Sequence, residues 1–579
     1  MIGVSCFIGG SNKSIFPEKF SSSSVSPFNL KTDNLNIRLR AVSHNVGYKI
    51  YEDENFSFIC FGDIYTPDVD RFIEGFISSY TKRSMKNYLR DTNGVFSIYF
   101  YDKKLSKLIV ISDRYGLKST YMETDNKKVK SFSNDLNTIV FREDVQHSVC
   151  NESISTFLSL GHLLENRTMF EGISRVSPAT IHYVDLKDGT HSSQVYWKWS
   201  NIKKRSDISF DEAVDTLYVL FKESIGNCLK SMTNDRLAVC LSGGLDSRVL
   251  LAEAVKQFDG EIQTFTFGKE GCLDFELAKK VADIAGVKSN FFTVDESNWF
   301  DQRVEGVLTT GGMFNITHMH ALVALEEMSA FSNYMLNGYL GDAVLGGSYL
   351  LREYLDTKNN FSAAQQKYGT NARFIDLEND YYDFETTDPS MVISNRGNRF
   401  TSGGTDLISD KLHNLKPFMD SRLLDFVYSL PDAFRFKSRL YNAMLLKYYP
   451  DYFKDIPWQN TGKVISVDWS EEGRKLYFKR KVRKLISNTY IESAIHRFYA
   501  KNILAKKNFV DYHQWMREER FMEYLTELSS RDIGFDIDQV KFSEIVSDFK
   551  EDYSISPDEI GCWVTIFEYF SALKIKKQR

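Results

Sequence analysis

Residues 236–248 read Arg-Leu-Ala-Val-Cys-Leu-Ser-Gly-Gly-Leu-Asp-Ser-Arg. An apolar run, Leu237 to Leu241, passes straight into Ser242-Gly243-Gly244-Leu245-Asp246-Ser247, and a helical pattern, Val249 to Val255, follows at once. This order predicts a strand, a small-residue loop and a helix N-terminus. Two glycines let the backbone come close to an anion, and two serines add hydroxyl donors. The helix start presents free N–H groups and the positive end of its dipole. A Walker loop would carry a Lys after its last Gly, and none stands here. Asp246 would repel a phosphate directly. An acid in such a loop makes sense if it holds Mg²⁺ against a pyrophosphate.

Outward from the loop, strands and helices alternate. Strand 237–241 leads to helix 248–257, Gln263–Phe267 to helix Asp274–Ala285, and Asn290–Val294 to helix His320–Ser329, with Tyr334–Asn337 as a further strand. Such alternation predicts right-handed crossovers, a parallel sheet and a ligand at the strand C-termini. Upstream, short runs such as Phe56–Phe61, Gly94–Tyr101 and Lys107–Ser112 are separated by turn residues, which predicts a β-rich layered domain. A polar stretch, Ser200 to Ser209, reads as a linker. A helix then runs from Phe210 to about Ser231, capped by Ser209 or Asp211. Beyond 420 the chain reads as mostly helical. The expected units are 1–200, 210–470 and a helical extension, 471–579, packed on the middle unit.

A chain of 579 residues has ample material for two or three domains. A net charge of −5 gives no global basic field for nucleic acid. No apolar run reaches membrane-spanning length, and the start lacks the basic flank of a signal peptide. The seven cysteines form no CxxC pair and have no His partners at zinc spacing, so they read as reduced packing residues of a cytoplasmic protein.

Ser242–Ser247 resembles the pyrophosphate loop of ATP pyrophosphatases, and further stretches are similar to the asparagine synthetase family. Asp274-Phe-Glu-Leu-Ala-Lys-Lys resembles its acidic, Ala-rich helix. Asn337-Gly-Tyr-Leu-Gly-Asp-Ala-Val-Leu-Gly-Gly resembles its S-G-E-G-x-D-E-x-F-G-G block. Lys416-Pro-Phe-Met-Asp resembles V-P-F-L-D, and Ile456-Pro-Trp-Gln-Asn-Thr-Gly-Lys resembles the segment with the catalytic lysine. In the first half, Phe61-Gly-Asp-Ile-Tyr resembles N-G-E-I-Y, Ser112–Tyr121 resembles R-D-x-x-G-x-x-P-L-Y, and Arg167–Ile173 resembles R-T-x-F-x-G-I of the N-terminal glutaminase domain. The resemblance covers about residues 1–470. It implies an α/β protein with a layered α+β glutaminase-like domain, then a parallel-sheet ATP-pyrophosphatase domain with a helical C-terminal extension.

Departures from the pattern shape the expected chemistry. The glutaminases of this type use a cysteine directly after the initiator Met, with its own amine as base. Here Ile2 follows Met1, and Cys6 sits inside a strand-like run. The oxyanion-hole Asn corresponds to Phe61, which cannot donate a hydrogen bond. The first half is therefore expected to be an inactive remnant. In the second half Asp342 keeps the family's Mg²⁺-binding acid, while Tyr339 and Ala343 replace its neighbours. Thr461 stands at the position of the catalytic Lys, and Lys463 is two residues on.

The resemblance thus implies an ATP-dependent amide ligase that activates a carboxylate as acyl-adenylate, releasing pyrophosphate, for attack by ammonia or another amine. Ser242, Gly243, Gly244, Asp246 and Ser247 would bind the pyrophosphate of ATP, and Asp246 and Asp342 would hold Mg²⁺. Lys463 and Tyr339 would be catalytic. Arg248 reads equally as a solvent-facing residue and as a phosphate contact. His318 and His320 are two apart, which is not one helix face, so no metal pair is expected. Lys475–Lys484 reads as a solvated basic face. The expected partners are a small-molecule or peptide carboxylate and an amine donor, with a homodimer left open. Two other readings stand beside this one. An intramolecular cyclase of the lactam or lasso-peptide type is favoured by Ile2, Tyr339 and the helical tail. A catalytically dead binding scaffold is favoured by Thr461 and opposed by the intact loop.

Overall fold

The computed structural model describes residues 3–577 except positions 10–24, 45, 144, 349, 351–390, 468–508 and 536. The basic stretch Lys475–Lys484 lies outside the described residues.

Among the described residues, twelve strands build the first half: β1 (Gly3–Ile8), β2 (Val25–Lys31), β3 (Leu35–Ala41), β4 (Tyr48–Glu52), β5 (Phe56–Ile64), β6 (Gly94–Asp102), β7 (Lys107–Ser112), β8 (Tyr121–Asp125), β9 (Lys128–Ser133), β10 (Ile173–Arg175), β11 (Thr180–Asp185) and β12 (His191–Val195). They form two six-stranded antiparallel sheets, ordered β10-β8-β9-β1-β3-β2 and β12-β11-β7-β6-β5-β4. The sheets face each other across a core that includes Val4, Cys6, Ile37, Ile59, Phe61, Tyr99 and Phe132. Strand side chains alternate, so Phe58, Cys60, Ile98 and Phe100 turn to the opposite face. There the amphipathic helix Val69–Thr81 covers them, with Phe76 5.2 Å from Phe58 and 5.3 Å from Phe100 between ring centroids. β5 and β6 are therefore buried on both sides, which explains why their sequences carry so few polar residues.

The helix Phe210–Lys230 then opens the second half. Ser209 caps it, and Glu212 completes the reciprocal capping box. Among the described residues, five strands follow: β13 (Arg236–Cys240), β14 (Glu261–Gly268), β15 (Lys288–Thr293), β16 (Tyr334–Leu336) and β17 (His413–Leu415). All pair in parallel, in the order β15-β14-β13-β16-β17. The chain builds outward from β13 to β14 and β15, then returns to β13's other side with β16. That reversal opens a crevice at the strand C-termini between β13 and β16. β17 has only three residues, too few for a readable period. The expected helix His320–Ser329 is instead a 3₁₀ turn, His320–Ala324, followed by the helix Leu325–Phe331.

Leu237 and Val239 face one core with the helix Leu245–Gln257, and Ala238 faces another. The second core takes in the C-terminal helices Glu519–Ser530, Gln539–Phe549 and Pro557–Lys577 through Phe521, Phe542, Trp563 and Phe567. These helices reach the first half as well: Tyr569 Oη donates to Asn137 Oδ1 at 2.9 Å. The halves also meet directly. Arg114 grips both carboxylate oxygens of Asp425 at 2.9 and 2.8 Å, and His413 Nε2 lies 2.7 Å from Asp63 Oδ2. Trp199 packs edge-on against Tyr428 at 5.2 Å. Among the described residues no helix is long and apolar enough to cross a membrane.

Candidate active site

A cleft of about 450 Å³ lies at the C-terminal ends of β13, β14 and β16. The stretch 241–247 forms its floor. Its helix, Leu245–Gln257, starts at Gly244, and no side chain caps it. The first-turn N–H groups are thus left to an anion, in line with the dipole. Ser242 and Ser247 are tied together, with their hydroxyls 3.0 Å apart and Ser242 N–H donating to Ser247 Oγ at 3.1 Å. Gly244 N–H donates to Ser242 Oγ at 3.2 Å. Gly243 behaves differently: its N–H donates to Asp274 Oδ1 at 2.7 Å. Asp274 thus shapes the loop from behind, and Gln459 Nε2 donates to its other oxygen.

Asp246 and Asp342 come together because each follows one of two neighbouring strands, β13 and β16. The Asp342 N–H donates to Asp246 Oδ2 at 2.7 Å. Tyr441 Oη, from the helix Arg439–Tyr448, donates to Asp246 Oδ1 at 2.9 Å. Burial first, and the Asp342 charge second, push Asp246 up to about 7. The glycines of 337–347 make this approach sterically open. A Cβ at Gly341 would lie 2.5 Å from Asp246 Cγ, and one at Gly346 would lie 2.6 Å from Asp342 Oδ1. Leu340, between them, holds a left-handed φ of 59°, a local strain at the crevice.

Ser242, Gly244, Asp246, Ser247 and Asp342 line the cleft, and Gly243 sits in the same loop with its N–H turned to Asp274. Tyr339 is not among the lining residues. It is buried, donates to Asn398 Oδ1 at 3.1 Å, and has the Lys416 ammonium 4.6 Å from its ring centroid. Lys463 is exposed and outside the lining, although its segment borders the cleft through Trp458, Gln459 and Asn460. Arg248 takes neither of its expected places. It is fully buried and donates to four backbone carbonyls, those of Tyr452 (3.2 Å), Ile456 (3.2 Å), Gly243 (3.2 Å) and Pro457 (3.0 Å). Residue four of the helix's first turn points away from the ligand and into the chain that closes the cleft, so the guanidinium ties loop to segment.

Sequence reading missed Tyr441, Gln459, and the aromatic wall of Phe265, Phe267, Trp458 and Phe509. Tyr441 is 195 positions from Asp246, with no local pattern linking them. Asp274 was visible as an acid at a helix start, but its grip on Gly243 needed the fold.

The donor set suits a divalent cation. Two carboxylates face one cleft, one of them held protonation-prone first by burial and then by the other's charge, beside N–H groups suited to phosphate. Mg²⁺ characteristically takes one or two carboxylates and completes its shell with phosphates and water.

Comparison with known proteins accords with this arrangement. Residues 216–393 match the asparagine synthase family model, and residues 73–197 match the glutamine amidotransferase domain model. The asparagine synthetase [glutamine-hydrolyzing] of Pongo abelii is 24% identical over 269 residues, and that of Homo sapiens 23% over 271. Each of these alignments covers 44% of this chain and 44% of the relative, so the chain spans under half the length of these relatives. A probable asparagine synthetase of Acanthamoeba polyphaga mimivirus is 20% identical over 477 residues, 78% of each chain. The crevice at the reversal of the parallel sheet, the loop and acid pair it holds, and the two matched domains in their order agree with a chain that is similar to the asparagine synthetases across both halves.

Proposed function

We propose that the chain is an ATP-dependent amide ligase that activates a carboxylate as its acyl-adenylate. A carboxylate oxygen attacks the α-phosphorus of ATP and pyrophosphate leaves. An amine then attacks the acyl carbon and AMP leaves. The observation that carries this reading is the meeting of Asp246 and Asp342 beside an uncapped helix N-terminus in one cleft. The helix N–H groups and the Ser242 and Ser247 hydroxyls would cradle the departing pyrophosphate. Asp246 and Asp342 would hold Mg²⁺, which when bound supplies charge neutralisation at the phosphates. Tyr441 fixes the Asp246 carboxylate. Phe265, Phe267 and Phe509 offer an apolar wall on which a flat base can rest. Lys463 can serve the reacting groups only if the 458–463 turn re-aims it, for which Gly462, at a φ of 67°, is suited.

The first half is read as lacking glutaminase activity. Cys6 lies in the core between the two sheets, and burial pushes its thiol well above the ordinary range. Phe61 fills the same core and has the Lys118 ammonium on its ring face, 3.9 Å from the centroid. Neither presents a nucleophile or an oxyanion donor. The amine is therefore ammonia or an amine-bearing substrate.

ATP–pyrophosphate exchange, screened over candidate carboxylates with and without Mg²⁺, tests the ligase reading. Exchange that needs Mg²⁺ and is lost in Asp246→Asn is expected. A purified protein that binds no Mg²⁺·ATP and exchanges with no carboxylate would be a scaffold. Release of ammonia from glutamine above background would refute the inactive first half.

A further inference from the structure

The halves meet at a second polar space that shares no lining residue with the nucleotide cleft. A cavity of about 40 Å³ lies between Phe61 and Lys118 of the first half and Asp406, His413 and Lys416 of the second. It shares Phe61, Lys118, Asp406 and Ser409 with a neighbouring cavity of about 100 Å³. Lys416 is only 5% exposed. Among the described residues, neither lysine ammonium donates a hydrogen bond, and no carboxylate stands within 4.0 Å of either.

Each ammonium rests instead on an aromatic face, Lys118 Nζ 3.9 Å from the Phe61 centroid and Lys416 Nζ 4.6 Å from that of Tyr339. A ring face attracts a cation but leaves its three N–H donors without lone pairs. Nearby acids are committed elsewhere. Asp113 accepts the N–H groups of Tyr115, Leu117 and Lys118, and Asp63 pairs with His413. Asp406 and Asp63 both line the cavity, but neither carboxylate stands within ion-pair distance of either ammonium. Burial pulls Lys416 down to about 8 and Lys118 below its ordinary range, in spite of the opposing pull of aspartates such as Asp406. Lys416 also stands where the V-P-F-L-D pattern has an apolar residue, so this buried cation is a departure of this chain.

We propose that the seam cavity binds a small carboxylate, held between Lys118 and Lys416 and bridging the two halves. A carboxylate has two oxygens, one for each ammonium, and charge-assisted hydrogen bonds would replace the ring contacts. The lining holds two lysines and two aspartates, Asp63 and Asp406, so the site suits a small monoanion that meets the two ammoniums better than a phosphate dianion that the aspartates would repel. The volume admits a few heavy atoms and excludes a nucleotide or a peptide. The site is independent of the ligase reading and can be tested without ATP.

The test is calorimetric titration and thermal melting of the full chain with acetate, in a zwitterionic buffer at constant chloride. A saturable heat and a saturable rise in melting temperature are expected. Lys118→Met and Lys416→Met should each weaken acetate binding by about tenfold or more. Without acetate both variants should melt at or above the parent temperature, because each removes an unpaired buried charge. Lys416→Arg, which keeps the charge, should retain binding. Glycine that binds with the same lysine dependence would identify free amino acids as the source of the carboxylate. Acetate binding without glycine binding would identify simple acids. No saturable response to either, a response unchanged in both Met variants, or an equal response to phosphate and chloride would overturn the proposal.

Discussion

Arg248 shows how a residue can matter to a ligand site without facing it. Its guanidinium serves four carbonyls, of which that of Gly243 also accepts the Gln459 N–H at 3.4 Å. Arg248→Met should cost about 3–5 kcal/mol in urea denaturation, because buried carbonyls would be left unpaired. Asp246 carries the opposite sign. In the unfolded chain it titrates near 4, whereas in the fold it titrates at about 7. The native state therefore holds its proton more tightly, and the apo protein should lose stability as pH rises between those values. A bound divalent cation favours the ionised form. The rise in melting temperature caused by Mg²⁺ with ATP should therefore grow from about pH 6 to about pH 8. An equal rise at both ends would show that Asp246 is not a ligand. At this scale the loop and both acids were legible, since Ser242–Ser247 is contiguous and Asp342 sits in a recognisable block. Arg248 was not, because helix phase alone does not reveal what packs over a helix start.

At the scale of elements, the turn after β16 does the assembling. Glycines at 338, 341 and 346 leave room for two carboxylates that would otherwise meet a Cβ. Gly341→Ala should abolish Mg²⁺-dependent ATP binding while the far-UV spectrum stays native, since the clash falls on Asp246 and not on the strand. Restored binding in that variant would mean the turn yields more readily than its packing suggests. The helix Phe210–Lys230 offers a simpler check. Ser209→Ala removes a capping box and should cost about 1 kcal/mol in chemical denaturation, with ATP binding intact. The alternating runs of the first half were readable as strands. Their burial on both faces was not, because the period reports that a residue is apolar and not how many layers cover it.

Over the whole molecule the two halves share one core. Trp197, Trp199 and Tyr115 of the first half and Tyr428 of the second belong to the same cluster, and Tyr569 of the last helix reaches back to Asn137. Calorimetry should therefore show a single cooperative transition, coincident by far-UV dichroism and tryptophan fluorescence. Trp199→Ala should lower its stability by about 3–5 kcal/mol. Two resolved transitions in the parent chain would mean that the seam is weaker than its packing. The sequence by itself determined the strand–loop–helix at 236–257, the alternation that makes a parallel sheet, and the resemblance to the asparagine synthetases, because these are properties of neighbouring residues. Only the tertiary structure decided that Tyr441 fixes Asp246, that Arg248 closes the cleft from behind, and that Lys118 and Lys416 share one cavity. Each of these joins residues brought together by sheet order and helix packing, and no local period encodes a distance across the fold.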